Sequence, residues 1–162
     1  MGVSIYPPPA SPPAARGLVS QSPELDDTAL IGTTETICYD HSFTAEANRV
    51  YKVTFQAATV DTDGTGANAD YGSKGSARII MRWAAGSSAD TGTFFAEKWI
   101  ATFGDNSQRA TGVTMVGYFS TAASGTHTVA LGMNMQYSSG GQVRFLMYGP
   151  GNRLSVEDVG PA

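Results

Sequence analysis

The sequence contains one cysteine, Cys38, among 162 residues. That excludes an internal disulfide and any zinc site built on cysteine. Next to Ile37 the thiol reads as a small buried hydrophobe, because no pattern of basic neighbours activates it. Charge is scarce too. Charged residues make up 15% of the chain, against about a quarter in an average domain, and the ten Lys and Arg form no run or stripe. With a net charge of −4, this distribution excludes the basic surface on which nucleic-acid binding rests. No apolar run approaches the roughly 20 residues of a membrane-spanning helix, so no membrane partner is expected. The first twenty residues lack the cationic start and apolar core of a secretory signal, which places synthesis in a cytoplasm.

Catalytic signatures are missing as well. No Gly-x-Ser-x-Gly elbow, His-Glu-x-x-His pair or phosphate-binding loop occurs. The two histidines are His41, in CYDHS at a strand end, and His127, in GTHTVAL, expected on a solvent face. Glu157 and Asp158 are adjacent and point to opposite faces of a strand, so they do not form a glycosidase pair. The run from Asp61 through Asp63, Asn68 and Asp70 has the oxygen ligands of a calcium loop but not the spacing. Its sixth position is Gly66, but its twelfth is Gly72 where a glutamate is required. It reads as a polar turn. No catalytic residue, metal or cofactor is assigned, and the chain is expected to be non-enzymatic.

What the sequence does contain is a period of two. Tyr51, Val53, Phe55 and Ala57 alternate with Lys52, Thr54 and Gln56, the pattern of a half-buried strand. Ile79, Met81 and Trp83 repeat it, as do Val129, Leu131, Met133 and Met135, then Val143, Phe145 and Met147, and finally Leu154 and Val156. Weaker candidates cover 18–22, 34–39, 92–100 and 112–120. The stretch 42–48 fits a single helical turn or a strand edge. Turn-forming segments such as AAGSSADTG, TAASG and SSGG separate these runs. Eight or nine short strands with no sustained helical period predict an all-β, jelly-roll-like antiparallel sandwich over residues 17–162.

Residues 1–16 stand apart as an arm. Five of the ten residues from Ser4 to Pro13 are proline, and none is charged. Pro7, Pro8, Pro9, Pro12 and Pro13 favour extended polyproline II, which loses little entropy on docking. Ile5 and Tyr6 offer an apolar anchor just before them. The arm is therefore expected to attach the domain to another protein by lying in a groove.

Apolar residues also occur on the second faces of several strands. Ile80 lies between Arg78 and Arg82, Leu146 between Arg144 and Tyr148, and Val116 and Tyr118 lie opposite Val113 and Met115. A sandwich buries one face of each sheet. Ile80, Val116, Tyr118, Leu146 and Tyr148 are thus candidates for a subunit interface. The aromatics Trp83, Trp99, Tyr118 and Tyr148 either belong to the core or line a sugar-binding platform.

Taken together, the arm running into RGLVSQS, then IGTTETICYDHSFTAEANRVYKVTF, SGTHTVALGMNM and the terminal LSVEDVGPA resemble small β-sandwich minor tail or virion accessory proteins of tailed bacteriophages that infect actinobacteria. The resemblance implies a structural role in a virion assembled in the host cytoplasm. The implied partners are other virion proteins of tail or capsid, in a homotrimer. A capsid decoration protein or a host-surface glycan-binding module would use the same fold. The resemblance supplies no catalytic residues.

Overall fold

The computed structural model describes residues 14–64, 73–104, 111–137, 141–147 and 150–162. These form nine strands and, among the described residues, no helix: β1 Gly17–Gln21, β2 Thr36–Ala45, β3 Arg49–Gly64, β4 Ser73–Ala85, β5 Thr93–Gly104, β6 Thr111–Thr121, β7 Gly125–Tyr137, β8 Gly141–Leu146 and β9 Leu154–Pro161. Two antiparallel sheets stack face to face. One has the order β1-β9-β3-β6, with β8 also paired to β3, and the other has the order β2-β7-β4-β5. The chain thus wraps between the sheets in the jelly-roll manner, β8 being an extra strand beside the far half of β3. The long β3 serves both neighbours: its Arg49–Phe55 half pairs with β9 and its Thr59–Gly64 half with β8.

The period-two reading identifies the inward faces. Tyr51, Val53 and Phe55 of β3, Ile79 and Met81 of β4, Leu131 and Met133 of β7, Phe145 of β8, and Leu154 and Val156 of β9 are buried in one core. Full burial of each large apolar side chain contributes about 1.5–3 kcal/mol. The stretch 42–48 resolves into the end of β2 and a turn in which Asn48 takes φ 56°, a conformation that suits asparagine.

β7 departs from simple alternation. Ala130 and Thr128 are buried as fully as Val129 and Leu131. β7 lies between β2 and β4, and the chain just before β2 runs over its outer face. Met135 N–H donates to Gly32 O at 2.8 Å, Asn134 Nδ2 donates to Thr33 O at 3.2 Å, and a Cβ added at Gly132 would meet Glu35 Oε1 at 3.0 Å.

Candidate functional site at the arm root and the sheet faces

Asp158 is the third inward residue of β9, after Leu154 and Val156, so a carboxylate enters the core at one end of the sandwich. A buried charge needs a partner. Arg49, the first residue of β3, supplies it: Nε lies 2.9 Å from Oδ2 and Nη2 lies 2.7 Å from Oδ1, a bidentate pair with both side chains almost wholly buried. Gly160 N–H donates a third bond to Asp158 at 3.0 Å. Burial pushes the Asp158 carboxyl up, but the Arg49 and Gly160 hydrogen bonds outweigh it and the group ends below its ordinary value. Adjacent Glu157 faces outward and binds Lys52 at 3.0 Å, as the opposite-face reading requires.

The same Arg49 reaches beyond the pair. Its Nη2 donates to Ala14 O at 2.8 Å, and Arg16 pairs with Glu46. The chain just before β1 is therefore fastened to the sandwich at its root. The arm residues Ile5, Tyr6, Pro7, Pro8, Pro9, Pro12 and Pro13 lie outside the described residues.

The candidate interface residues separate. Ile80 and Leu146, expected to be exposed, are buried within the chain itself. Ile80 lies on the outer face between Arg78 and Arg82, and these pair with Glu97 and Glu35 to close that surface over it. Leu146 is the last residue of β8, and the chain before β2 runs antiparallel along this strand: Ile31 and Val143 exchange backbone hydrogen bonds, Thr28 N–H donates to Phe145 O, and Met147 N–H donates to Asp27 Oδ1. Neither residue is available to a partner. Val116 and Tyr118 are exposed on β6, at 45% and 57%. Tyr148 lies outside the described residues.

The four aromatics do not form one platform. Trp83 stacks on Phe119 at 4.8 Å and on His127 at 5.6 Å between the sheets, while Trp99 and Tyr118 lie on the outer faces of opposite sheets. His127 is buried, not on a solvent face. The period that turns Val129 and Leu131 inward turns His127 inward as well, and this signal was present in the sequence. Its ring is bonded through Nε2 to Ala123 O at 3.2 Å.

His41 also faces inward, at the margin where β2 meets β1, and its Nε2 lies 2.8 Å from Ser20 Oγ. Burial lowers its pKa, and the Asp40 charge partly restores it. Among the described residues no carboxylate is bonded to the ring, and Asp40 points to the other face. The pair ties the two sheets together but lacks the orienting acid of a triad. Asp61 is part of β3 and bonds Arg144 at 2.9 Å, which removes it from any calcium loop; Asn68 and Asp70 lie outside the described residues. No group of three metal-ligating side chains occurs among the described residues.

Sequence reasoning missed a cleft of about 520 Å³ between residues 22–31 and the start of β2. Leu25, Ile31, Cys38 and Tyr39 line it, with Glu24, Asp26, Asp27 and Asp40 among its walls. Burial pushes the Cys38 thiol up to about 12, so it is inert, as its apolar neighbourhood implied. Tyr39 Oη donates to Asp26 O at 2.6 Å and holds one wall in place.

Over residues 1–162 the chain matches a family described as "Domain of unknown function (DUF7298)". No curated protein matches it. Among solved structures it is similar to a carbohydrate-binding module from Cellvibrio mixtus lichenase 5A in complex with cellotriose, at 11% identity and TM-score 0.38, over 86% of this chain and 97% of the other. It is similar to the CBM22-1 xylan-binding domain of Paenibacillus barcinonensis Xyn10C, at 9% identity and TM-score 0.36, over 94% and 100%. A structure of infectious bursal disease virus gives 12% identity and TM-score 0.39 over all of this chain and 42% of that one. At such identities the likeness is one of fold alone.

Proposed function

We propose, for a chain that belongs to the DUF7298 family of domains of unknown function, that it is a non-enzymatic structural protein of a bacteriophage virion, a minor tail protein attached through its N-terminal arm. The observation that carries this reading is the fastened root. Arg49 is fixed by its buried pair with Asp158, and it holds the Ala14 carbonyl. Arg16 and Glu46 add a second tie. A proline-rich segment leaving a fixed point carries Ile5 and Tyr6 to a set distance from the domain, and its stiffness reduces the entropy lost when they dock. In the polyproline II form that their prolines favour, the seven residues between Tyr6 and Ala14 would span about 22 Å, enough to reach a neighbouring subunit.

The test is a deletion of residues 2–13, which spares Ala14 and Arg16. The expected product is folded, with an unchanged melting temperature, and is absent from purified virions. Normal incorporation would refute the attachment role. Gold-labelled antibody on wild-type virions decides the location: label on the tail supports the minor tail reading, whereas label over the head makes the protein a capsid decoration.

A further inference from the structure

Besides β8, whose other side is bonded by Thr28 and Ile31, the two sheets end in four marginal strands: β1 and β6 in one, β2 and β5 in the other. Unpaired backbone groups along such margins are templates for another strand, and proteins blunt them with short length, charge, proline or bulges. β1 is five residues long and shifts register between Leu18 and Ser20. β2 carries Asp40 and shifts between Ile37 and Tyr39. β5 carries Glu97 and Lys98 and shifts at Phe95. β6 is the least protected of them, its pairing with β3 shifting only at its start, between Thr111 and Val113. Its eleven residues, TGVTMVGYFST, include no charge and no proline, and from Val113 to Thr121 they pair with β3 without a shift.

The register identifies which β6 groups have no strand partner among the described residues. Gln56 of β3 lies opposite Thr114, yet its N–H points the other way, to Arg153 O at 3.0 Å. Thr114 therefore forms a pair that is not hydrogen-bonded to β3, and the groups of Thr114, Val116, Tyr118 and Ser120 point to the open margin. Lys98 Nζ, which donates to Thr114 O at 3.0 Å from that side, marks the same direction. A carbonyl has a second lone pair, so this lysine leaves the acceptor available.

The edge is also complementary to itself. Two copies laid antiparallel about Gly117 place Val116 opposite the partner's Tyr118, and Thr114 opposite the partner's Ser120. Aromatic with β-branched, and hydroxyl with hydroxyl, are favourable cross-strand pairs, and no like charges meet. In this register the nine residues Val113–Thr121 overlap, and at about 3.4 Å per residue the seam is about 31 Å long. Taken over the depth of the sandwich it covers roughly 500–600 Å² per copy, at the small end of specific interfaces.

We propose that β6 is the seam of a twofold dimer in which the five-stranded sheets of two copies join into one continuous sheet. This replaces the homotrimer that the resemblance implied; it keeps Val116 and Tyr118 of the candidate interface and drops the buried Ile80 and Leu146, and it does not depend on the virion reading.

Light scattering coupled to size exclusion, run from dilute to concentrated protein, tests it. The full chain should have twice its 16.9 kDa mass. Val116→Pro removes an N–H that faces the margin and not β3, a site where an edge strand tolerates proline. Tyr118→Lys puts a charge on the seam without touching the backbone. Both variants should run as monomers with an unchanged circular dichroism spectrum. If Val116→Pro misfolds, Tyr118→Lys decides alone. A wild-type chain that is monomeric or trimeric throughout, or a dimer that a folded variant leaves intact, overturns the proposal.

Discussion

Gly117 occupies an inward position of β6, between Met115 and Phe119, where alternation calls for a large side chain. A Cβ there would lie 2.6 Å from the Phe95 ring and 2.7 Å from the Ala96 Cβ. The bulge of β5 presents Phe95 to this notch, and Phe95 packs on Phe119 at 5.2 Å. Phe95 is hemmed in, and the Ala96 Cβ moves only with its backbone. Gly117→Ala should therefore cost about 1–3 kcal/mol and lower the melting temperature by roughly 3–10 °C, although alanine is ordinarily the better strand residue. Unchanged calorimetry would mean that the notch is not tightly filled.

Asp158 is the counterpart among polar residues. Asp158→Asn leaves the Arg49 charge buried without its counterion, and the melting temperature should fall by roughly 10 °C. The pH dependence has a defined sign. A carboxyl whose folded pKa is depressed stabilises fully above the ordinary carboxylate value of about 4, and that contribution disappears as pH falls through the lower folded value. Glu35, lowered by its hydrogen bond from Arg82, acts in the same window. His41, lowered by burial, adds an earlier and shallower decline beginning below about pH 6.5. The wild-type melting curve should thus bend twice on acidification. In Asp158→Asn the second bend should be reduced to the share of Glu35 and its like; an unaltered profile would show that the buried pair is not the source.

The strand was legible where burial follows period two, and illegible where a distant segment changes the rule. Tyr51 to Ala57 read correctly as a strand, but β3 continues to Gly64, and nothing local announces that its partner changes from β9 to β8. Ile80 and Leu146 read as exposed because alternation knows only one core; ion pairs of Glu35 and Glu97 close the surface around Ile80, and a segment from Thr28 to Ile31 lies along the strand that ends in Leu146. The arm's prolines were legible, but its root was not. Arg49 and Asp158 lie 109 residues apart, and only the fold brings them together and turns the arginine towards Ala14. The β6 edge was visible as a composition without charge, whereas its position at a margin depended on strand order.

At the scale of the whole molecule, the jelly roll interleaves early and late parts of the chain. β9 lies between β1 and β3, with Val156 opposite both Ser20 and Val53. Without β9 neither β1 nor the first half of β3 has a partner on that side, and Arg49 loses Asp158. A chain ending at residue 153 should accordingly lack the cooperative thermal transition of the full chain; a sharp transition in the shortened protein would show that β9 is dispensable.

The placement of β9 also governs events during synthesis. The ninth strand completes the middle of its sheet, so a nascent chain carries β1 and one side of β3 unmatched until β9 has been made. Vectorial folding of this sheet, N-terminus first, is thereby ruled out. Until β9 is in place, the uncharged strand β6 can pair with another nascent copy on the same polysome before its own sheet is whole, and chaperone demand should follow the time taken to translate the segment between β6 and β9.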